Sequence, residues 1–295
     1  MFIQYFGSYL LNKGLLNPDQ LKEAIELANS TQIKLGILAM NAGFLTADQI
    51  TEVQMLQRTM DKRFGEIAVL KGYLTDSQVD SLLKTQEKGH LALSQAIADL
   101  DFLSLKQLET ALQGYKNESG LTNQQISAIQ AGDTDTIVRV FLDFSDLKAG
   151  DQYYEFASLM MRNIIRFLGE LAMIEEQLST KGFEAPVMVT QEIHGGVSLH
   201  TALAMDEETF LTMARKYSGL KMDAGSELAD ASITEFLNLN NGLFIVNLSN
   251  NGVDCDLTPP EITRNCQLTT DQGFVIPFYL GSGTINLIIS PVSLG

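Results

Sequence analysis

The run Phe6-Gly-Ser-Tyr-Leu-Leu-Asn-Lys-Gly-Leu-Leu-Asn-Pro-Asp-Gln-Leu21 sets the architecture of the first 118 residues. Phe6, Leu10 and Leu11 give a short helix one apolar face. Gly14 supplies a left-handed residue that ends it. Leu15 and Leu16 then pack down. Asn17 is an N-cap, Pro18 suits the first helical position, and Gln20 stands at the third, which makes a capping box. A second helix follows, with Leu21, Ala24, Ile25 and Ala28 on one stripe.

The pattern recurs every 29 residues, four times without a gap. Gly7, Gly36 and Gly65 correspond, with Ser94 in the fourth place. Gly14, Gly43 and Gly72 correspond, with Asp101 fourth. Leu16, Leu45, Leu74 and Leu103 follow, then Gln20, Gln49, Gln78 and Gln107, then Leu21, Ile50, Val79 and Leu108. Thr46, Thr75 and Ser104 pair with their glutamines as Asn17 does, so the repeated glutamine has a structural reason. Each copy is two helices too short to bury their apolar faces alone, so the copies must stack.

These repeats resemble the MshEN domain of type II secretion and pilus ATPases. Its pattern is Arg-Leu-Gly-x-x-Leu, four residues, Gly, five residues, Gln-Leu. The resemblance spans residues 5 to about 113. Some members of that family bind cyclic di-GMP, so the resemblance implies that ligand. The leading basic position holds Tyr5, Lys34, Arg63 and Ala92, which leaves Lys34 and Arg63 as the implied contacts, through charge-assisted bonds. A pure scaffold is the alternative, because two copies lack the basic group.

Composition narrows the classes. The chain has 295 residues, 45% hydrophobic and 19% charged, enough for two packed domains. No stretch approaches a transmembrane helix in length, so no membrane insertion is expected. The start, MFIQYFGSYLL, lacks a basic leader and reads as the first helix, and a cytoplasmic protein is expected. The net charge of −16 falls mostly on residues 121–295, with 9 basic against 22 acidic residues. That argues against nucleic acid and anionic membrane surfaces, which need basic patches. Cys255 and Cys266 are too few for a disulfide framework and read as free, buried thiols. His90, His194 and His200 have no metal-ligand spacing, and His194 reads as part of a turn.

Residues 119–136 read as a linker holding a short helix over 123–130, opened by a Thr122–Gln125 capping box. Residues 137–142 are a strand or a short buried helix; periodicity leaves both open. A long amphipathic helix is expected over 152–178, with Phe156, Leu159, Met160, Ile164, Phe167, Leu168 and Leu171 on its apolar side. Strands are expected at 186–191 and 197–204, joined at Gly195-Gly196. Asp206 caps a helix over 207–217. A second long helix runs over 226–249 and stops at Asn250-Asn251-Gly252. Strands follow near 253–257, 274–280 and 283–290. The mixture is an α/β layered domain over 137–295.

On the 226–249 helix, Glu235 and Asn238 are three residues apart and share one face. Ile233, Leu237, Phe244 and Leu248 fall toward the other. The order of the segment is Leu203-Ala-Met-Asp-Glu-Glu-Thr-Phe-Leu-Thr-Met-Ala-Arg215, then Asp230-Ala-Ser-Ile-Thr-Glu-Phe-Leu-Asn238, then Gly252-Val-Asp-Cys-Asp-Leu-Thr-Pro-Pro260. It resembles the CheC/CheX chemotaxis phosphatases. The fold class implied is multidomain: all-α N-terminal helical repeats plus an α/β CheC/CheX-like domain. The single Glu-x-x-Asn favours the CheX type, because the first long helix carries Glu155-Phe-Ala-Ser158 and Glu170-Leu-Ala-Met173 instead. The resemblance departs after Asn238, where Leu-Asn-Asn-Gly replaces apolar residues. Asn240 and Asn241 are poor helix formers and are expected to loosen the helix or alter partner choice.

The resemblance implies a phosphatase acting on the aspartyl phosphate of a CheY-like response regulator. Glu235 and Asn238 are the implied catalytic pair, Asn238 aligning a water and Glu235 anchoring the helix on a receiver lysine. The magnesium ion belongs to the receiver, so the chain needs no metal of its own. A homodimer is also implied. The competing reading is a non-catalytic module that docks a receiver, binds cyclic di-GMP through the repeats, or does both.

Overall fold

The structure is a computed structural model. It describes residues 2–28, 30–84, 89–117, 122, 124–125, 128–129, 132–147 and 150–294. The chain divides into two compact units, Met1–Gly132 and Asp133–Gly295. Among the described residues no helix is long and apolar enough to cross a membrane.

The first unit holds four helix pairs: α1 (Phe2–Asn12) and α2 (Pro18–Ala28), α3 (Leu35–Asn41) and α4 (Ala47–Gln57), α5 (Phe64–Leu70) and α6 (Asp76–Leu83), α7 (Gly89–Asp99) and α8 (Leu105–Asn117). Local chemistry explains every pair. Gly14, Gly43 and Gly72 have φ of +62°, +73° and +72°, and Asp101 adopts the same left-handed turn at +54°. All four capping boxes form, with reciprocal bonds of 2.8–3.3 Å between backbone and side chain. The helices are only two to three turns long, so these caps satisfy a large share of their free backbone donors.

The copies do not stack in chain order. Copy four packs on copy one through α1, α2 and α7, and on copy two through α3, α4, α7 and α8. Copy three packs on copy two through α3–α6 and α4–α5 contacts. The spatial order is therefore one, four, two, three. An aromatic cluster seals the junction of copies one and four: Tyr115 lies 5.0 Å from Phe6 and 6.0 Å from His90, ring centre to ring centre.

In the second unit, α9 (Thr134–Phe141) makes residues 137–141 helix, started by Asp133 as N-cap, with Leu142 extended just beyond it. The Thr122–Gln125 box also forms, whereas most of the expected 123–130 helix lies outside the described residues. α10 (Gly150–Asn163) runs into a π-helical turn, Ile164–Leu168, and stops there. The expected helix over 152–178 is thus ten residues too long. Gly169 takes φ +66° and turns the chain. The apolar residues beyond it enter the sheet as β1 (Met173–Ile174), followed by β2 (Leu178–Ser179).

The sheet is antiparallel and eight-stranded. Its other members are β3 (Glu184–Gly195), β4 (Leu199–Met205), β5 (Cys255–Leu257), β6 (Glu261–Gln267), β7 (Phe274–Leu280) and β8 (Gly283–Ser290). The order is β1-β7-β8-β4-β3-β5, with β2 also on β7 and β6 also on β3. His194 lies within β3, opposite Asp256, and not in the turn expected for it. Strand β6 went unexpected, because Glu-Ile-Thr-Arg-Asn-Cys-Gln is largely exposed and shows no apolar alternation. Cys255 and Cys266 are free and only half-buried. They face opposite ends of β3, at Gly195 and Ala185. Helices α11 (Glu207–Ser218) and α12 (Glu227–Asn250) pack on each other, and α12 lies against β3, β5, β6 and α10.

Candidate active site

Helix α12 is anchored before it is functional. The Ser226 hydroxyl accepts from the Ala229 backbone N–H at 3.2 Å and caps the start. Ala229, Ile233, Phe236, Leu237, Phe244 and Leu248 form a buried stripe at helical spacing. Phe236 meets Tyr217 edge-on at 5.4 Å, and Phe244 meets Phe156 edge-on at 5.1 Å. These contacts fix the rotation of the helix, so its other side must face out. That side presents Ala231, Glu235, Asn238, Gly242 and Val246 in turn. Glu235 is exposed and Asn238 half-buried.

Acidic groups border the ridge. Arg264 on β6 joins Asp230 of α12 at 2.7 Å and Glu207 of α11 at 3.4 Å. Tyr217 stands close enough to Glu235 to feel its charge. Burial first, and the Glu235 carboxylate second, push the Tyr217 phenol above its ordinary range.

Behind Asn238 lies a chain of amide bonds. Gln191 Nε2 donates to Asn238 Oδ1 and to the Thr258 carbonyl, both at 2.8 Å. Asn241 Nδ2 donates to Gln191 Oε1 and to Thr201 Oγ1, again at 2.8 Å. Thr201 Oγ1 donates to the Gln191 carbonyl at 3.0 Å. Thr258 is itself tied to β3, its N–H bonding the Glu192 carbonyl and its hydroxyl accepting from the Glu192 N–H. Pro259 and Pro260 then break the ladder between β5 and β6, since neither can donate.

Asn240 and Asn241 do not loosen the helix. Both are fully buried inside an unbroken α12. Asn241 belongs to the amide chain, and Asn240 Oδ1 accepts from the buried Asn163 Nδ2 at 2.8 Å. Their helix propensity is poor, but their side chains bond into the core, and tertiary bonding wins over propensity.

Sequence reasoning missed Gln191, Thr201 and Thr258. Gln191 did leave a signal. Along β3 the inward positions are Val187, Val189, Gln191 and Ile193, so one amide interrupts a buried apolar file. Such an interruption needs a partner.

In the first unit, Lys34 lines a cavity of about 670 Å³, together with Gln54, Gln57, Gln95, Asp99 and Asp101. Its ammonium is paired with Asp99 at 2.6 Å. Arg63 is exposed at the N-cap of α5 and is not among the cavity's lining residues. Tyr5, at the basic position of copy one, is a core residue against Tyr115. Among the described residues, no group of three or more His, Cys, Asp or Glu side chains is placed to hold a metal ion.

Residues 187–279 match the family model for the chemotaxis phosphatase CheX. This segment is a CheX-like domain. It contains the Glu235–Asn238 ridge and the whole amide chain from Gln191 to Thr258. Solved structures similar to the chain include a CheX protein from Desulfovibrio desulfuricans, at 13% identity over 47% of this chain and 97% of that one, TM-score 0.42. A CheC-like protein from Shewanella sp. PV-4 has 18% identity over 48% and 96%, TM-score 0.43. The CheX–CheY–BeF3–Mg complex of Borrelia burgdorferi has 22% identity over 48% and 97%, TM-score 0.40. No curated protein matches the chain. The four-copy helical unit lies wholly outside the CheX-like domain.

Proposed function

We propose that the CheX-like domain hydrolyses the aspartyl phosphate of a CheY-like receiver, with Glu235 and Asn238 as its acting pair. The observation that carries this is the ridge of α12. A carboxylate and a carboxamide stand on the open side of a helix whose other side is locked into the sheet. A convex ridge of this kind can enter a partner's cleft without refolding.

The chemistry asked of the pair is modest. Water attacks phosphorus, the bond from phosphorus to the receiver's aspartyl oxygen breaks, and its electron pair stays on that carboxylate. The water's proton passes to phosphate or solvent, and the products are aspartate and inorganic phosphate. Asn238 holds the water in line, a positional gain that needs no proton transfer by the amide. Glu235 pairs with a receiver lysine and fixes the approach. The receiver supplies its own magnesium ion.

The test is the dephosphorylation rate of phosphorylated CheY-like receivers, alone and with the protein. Acceleration should appear with the parent and vanish in Asn238→Ala and Glu235→Ala. Equal rates with and without the parent, across receivers that bind it, would refute the phosphatase reading and leave docking alone.

A further inference from the structure

The geometry points to Gln191 as a positioning residue that decides which end of the Asn238 carboxamide meets the attacking water. The role rests on the phosphatase reading above, but the orientation behind it stands on hydrogen bonding alone.

The argument starts at the Thr258 carbonyl, which can only accept. The Gln191 atom 2.8 Å from it must therefore be the NH2 nitrogen. The opposite end of the Gln191 amide agrees, since its oxygen accepts from Asn241 Nδ2. The second proton of Gln191 Nε2 then points at Asn238, so the Asn238 atom that receives it must be oxygen. Gln191 is 3% exposed, so water does not compete freely for these bonds. A backbone carbonyl on the sheet thus fixes, through one buried amide, the end-for-end orientation of a side chain at the surface. The Asn238 NH2 is left facing outward.

The consequence is chemical. An outward NH2 donates to the water oxygen and occupies one of its lone pairs. The other lone pair is free to attack phosphorus. An outward carbonyl would hold the water through one of its protons instead and turn its lone pairs differently toward phosphorus. Gln191 therefore acts on the rate at saturation and not on receiver affinity, because it is buried behind Asn238 and reaches the surface only through it.

The test combines rate, affinity and orientation. Gln191→Leu should lower the saturated dephosphorylation rate about 10- to 100-fold and leave affinity for a beryllofluoride-activated receiver unchanged. Gln191→Glu keeps the length and the acceptor for Asn241 while removing both N–H donors, and should lose rate in the same way. In the unaltered protein, NMR should show Asn238 side-chain amide protons exchanging with water while those of Gln191 and Asn241 are protected. A parent-like rate in either variant, a loss of receiver affinity that accounts for the lost rate, or protected Asn238 amide protons would overturn the role. If those results come with full activity in the parent and none in Asn238→Ala, the phosphatase reading survives without it. A parent that accelerates no receiver overturns both.

Discussion

Gly242 stands one helical turn beyond Asn238 on the outer ridge of α12, and a Cβ built on it meets no atom within 4 Å. Contrast Gly65, whose Cβ would lie 3.1 Å from both Leu35 and Val79. The fold needs the second glycine and has no use for the first, which costs the helix about 1 kcal/mol relative to alanine. On the docking reading proposed above, this gap gives a receiver room to approach the ridge. Gly242→Ala should raise the melting temperature, and Gly242→Leu should weaken binding of an activated receiver about tenfold or more. Thermal denaturation and titration calorimetry read the two effects. A lower melting temperature for Gly242→Ala would refute the assignment.

Asn163 and Asn240 form a buried amide pair. Asn240→Ala strands the Asn163 NH2 and should cost about 1–3 kcal/mol in urea unfolding. Replacing both by leucine removes the stranded group, and the double variant should recover most of that loss. A double variant no better than Asn240→Ala would show that the pair is not what α12 loses.

The fourth turn of the repeat unit carries Asp101 where the first three carry glycine, all in the left-handed region. Asp101→Gly relieves that strain and should stabilise the unit by up to about 1 kcal/mol. Gly43→Ala places a side chain in the same conformation and should destabilise it by a similar amount. Urea midpoints for the two variants should therefore move in opposite directions.

Glu52 bonds Lys71 and Tyr73, and these bonds, Lys71 foremost, hold its carboxyl below the ordinary value of 4.5. A depressed carboxyl contributes stability above its unfolded value and loses it as pH falls through the folded one. Glu52→Gln should therefore be less stable than the parent near neutrality. The difference should close as pH drops below about 4.5. Urea midpoints across pH 3 to 7 measure it (the interval spans the ordinary carboxylate range of about 4). A gap that persists at the acid end would mean that the charge on Glu52 is not its source.

What the sequence revealed was what short-range chemistry governs. Caps such as Thr46–Gln49 and turns such as Gly43 depend on neighbours within one turn, so they could be read directly. The outward face of Glu235 and Asn238 followed from the 3.6-residue period of the apolar stripe. The end of α10 was obscured because Leu171 and Ile174 continue a helical apolar spacing, although they lie past Gly169 and Ile174 pairs with Phe278. Strand β6 was obscured because only Ile262 and Cys266 of its seven residues are even half-buried, and the polar residues between them hide the alternation. Gln191 required knowing that Thr258, sixty-seven residues away in sequence, lies across the sheet.

The order of the repeats has a cost in time. The copy that joins the first to the second is the fourth, the last of the four to leave the ribosome. Until α7 has been made, through Asp99, α1 and α2 lack their main neighbour and their apolar faces stay open. An open solenoid can zip up copy by copy. This unit closes like an arch, and its keystone is the last stone cut. Its assembly is governed by contacts some ninety residues apart, which slows folding relative to a chain-ordered array. Removing copy four should therefore leave copy one without a seat, not a shorter working solenoid.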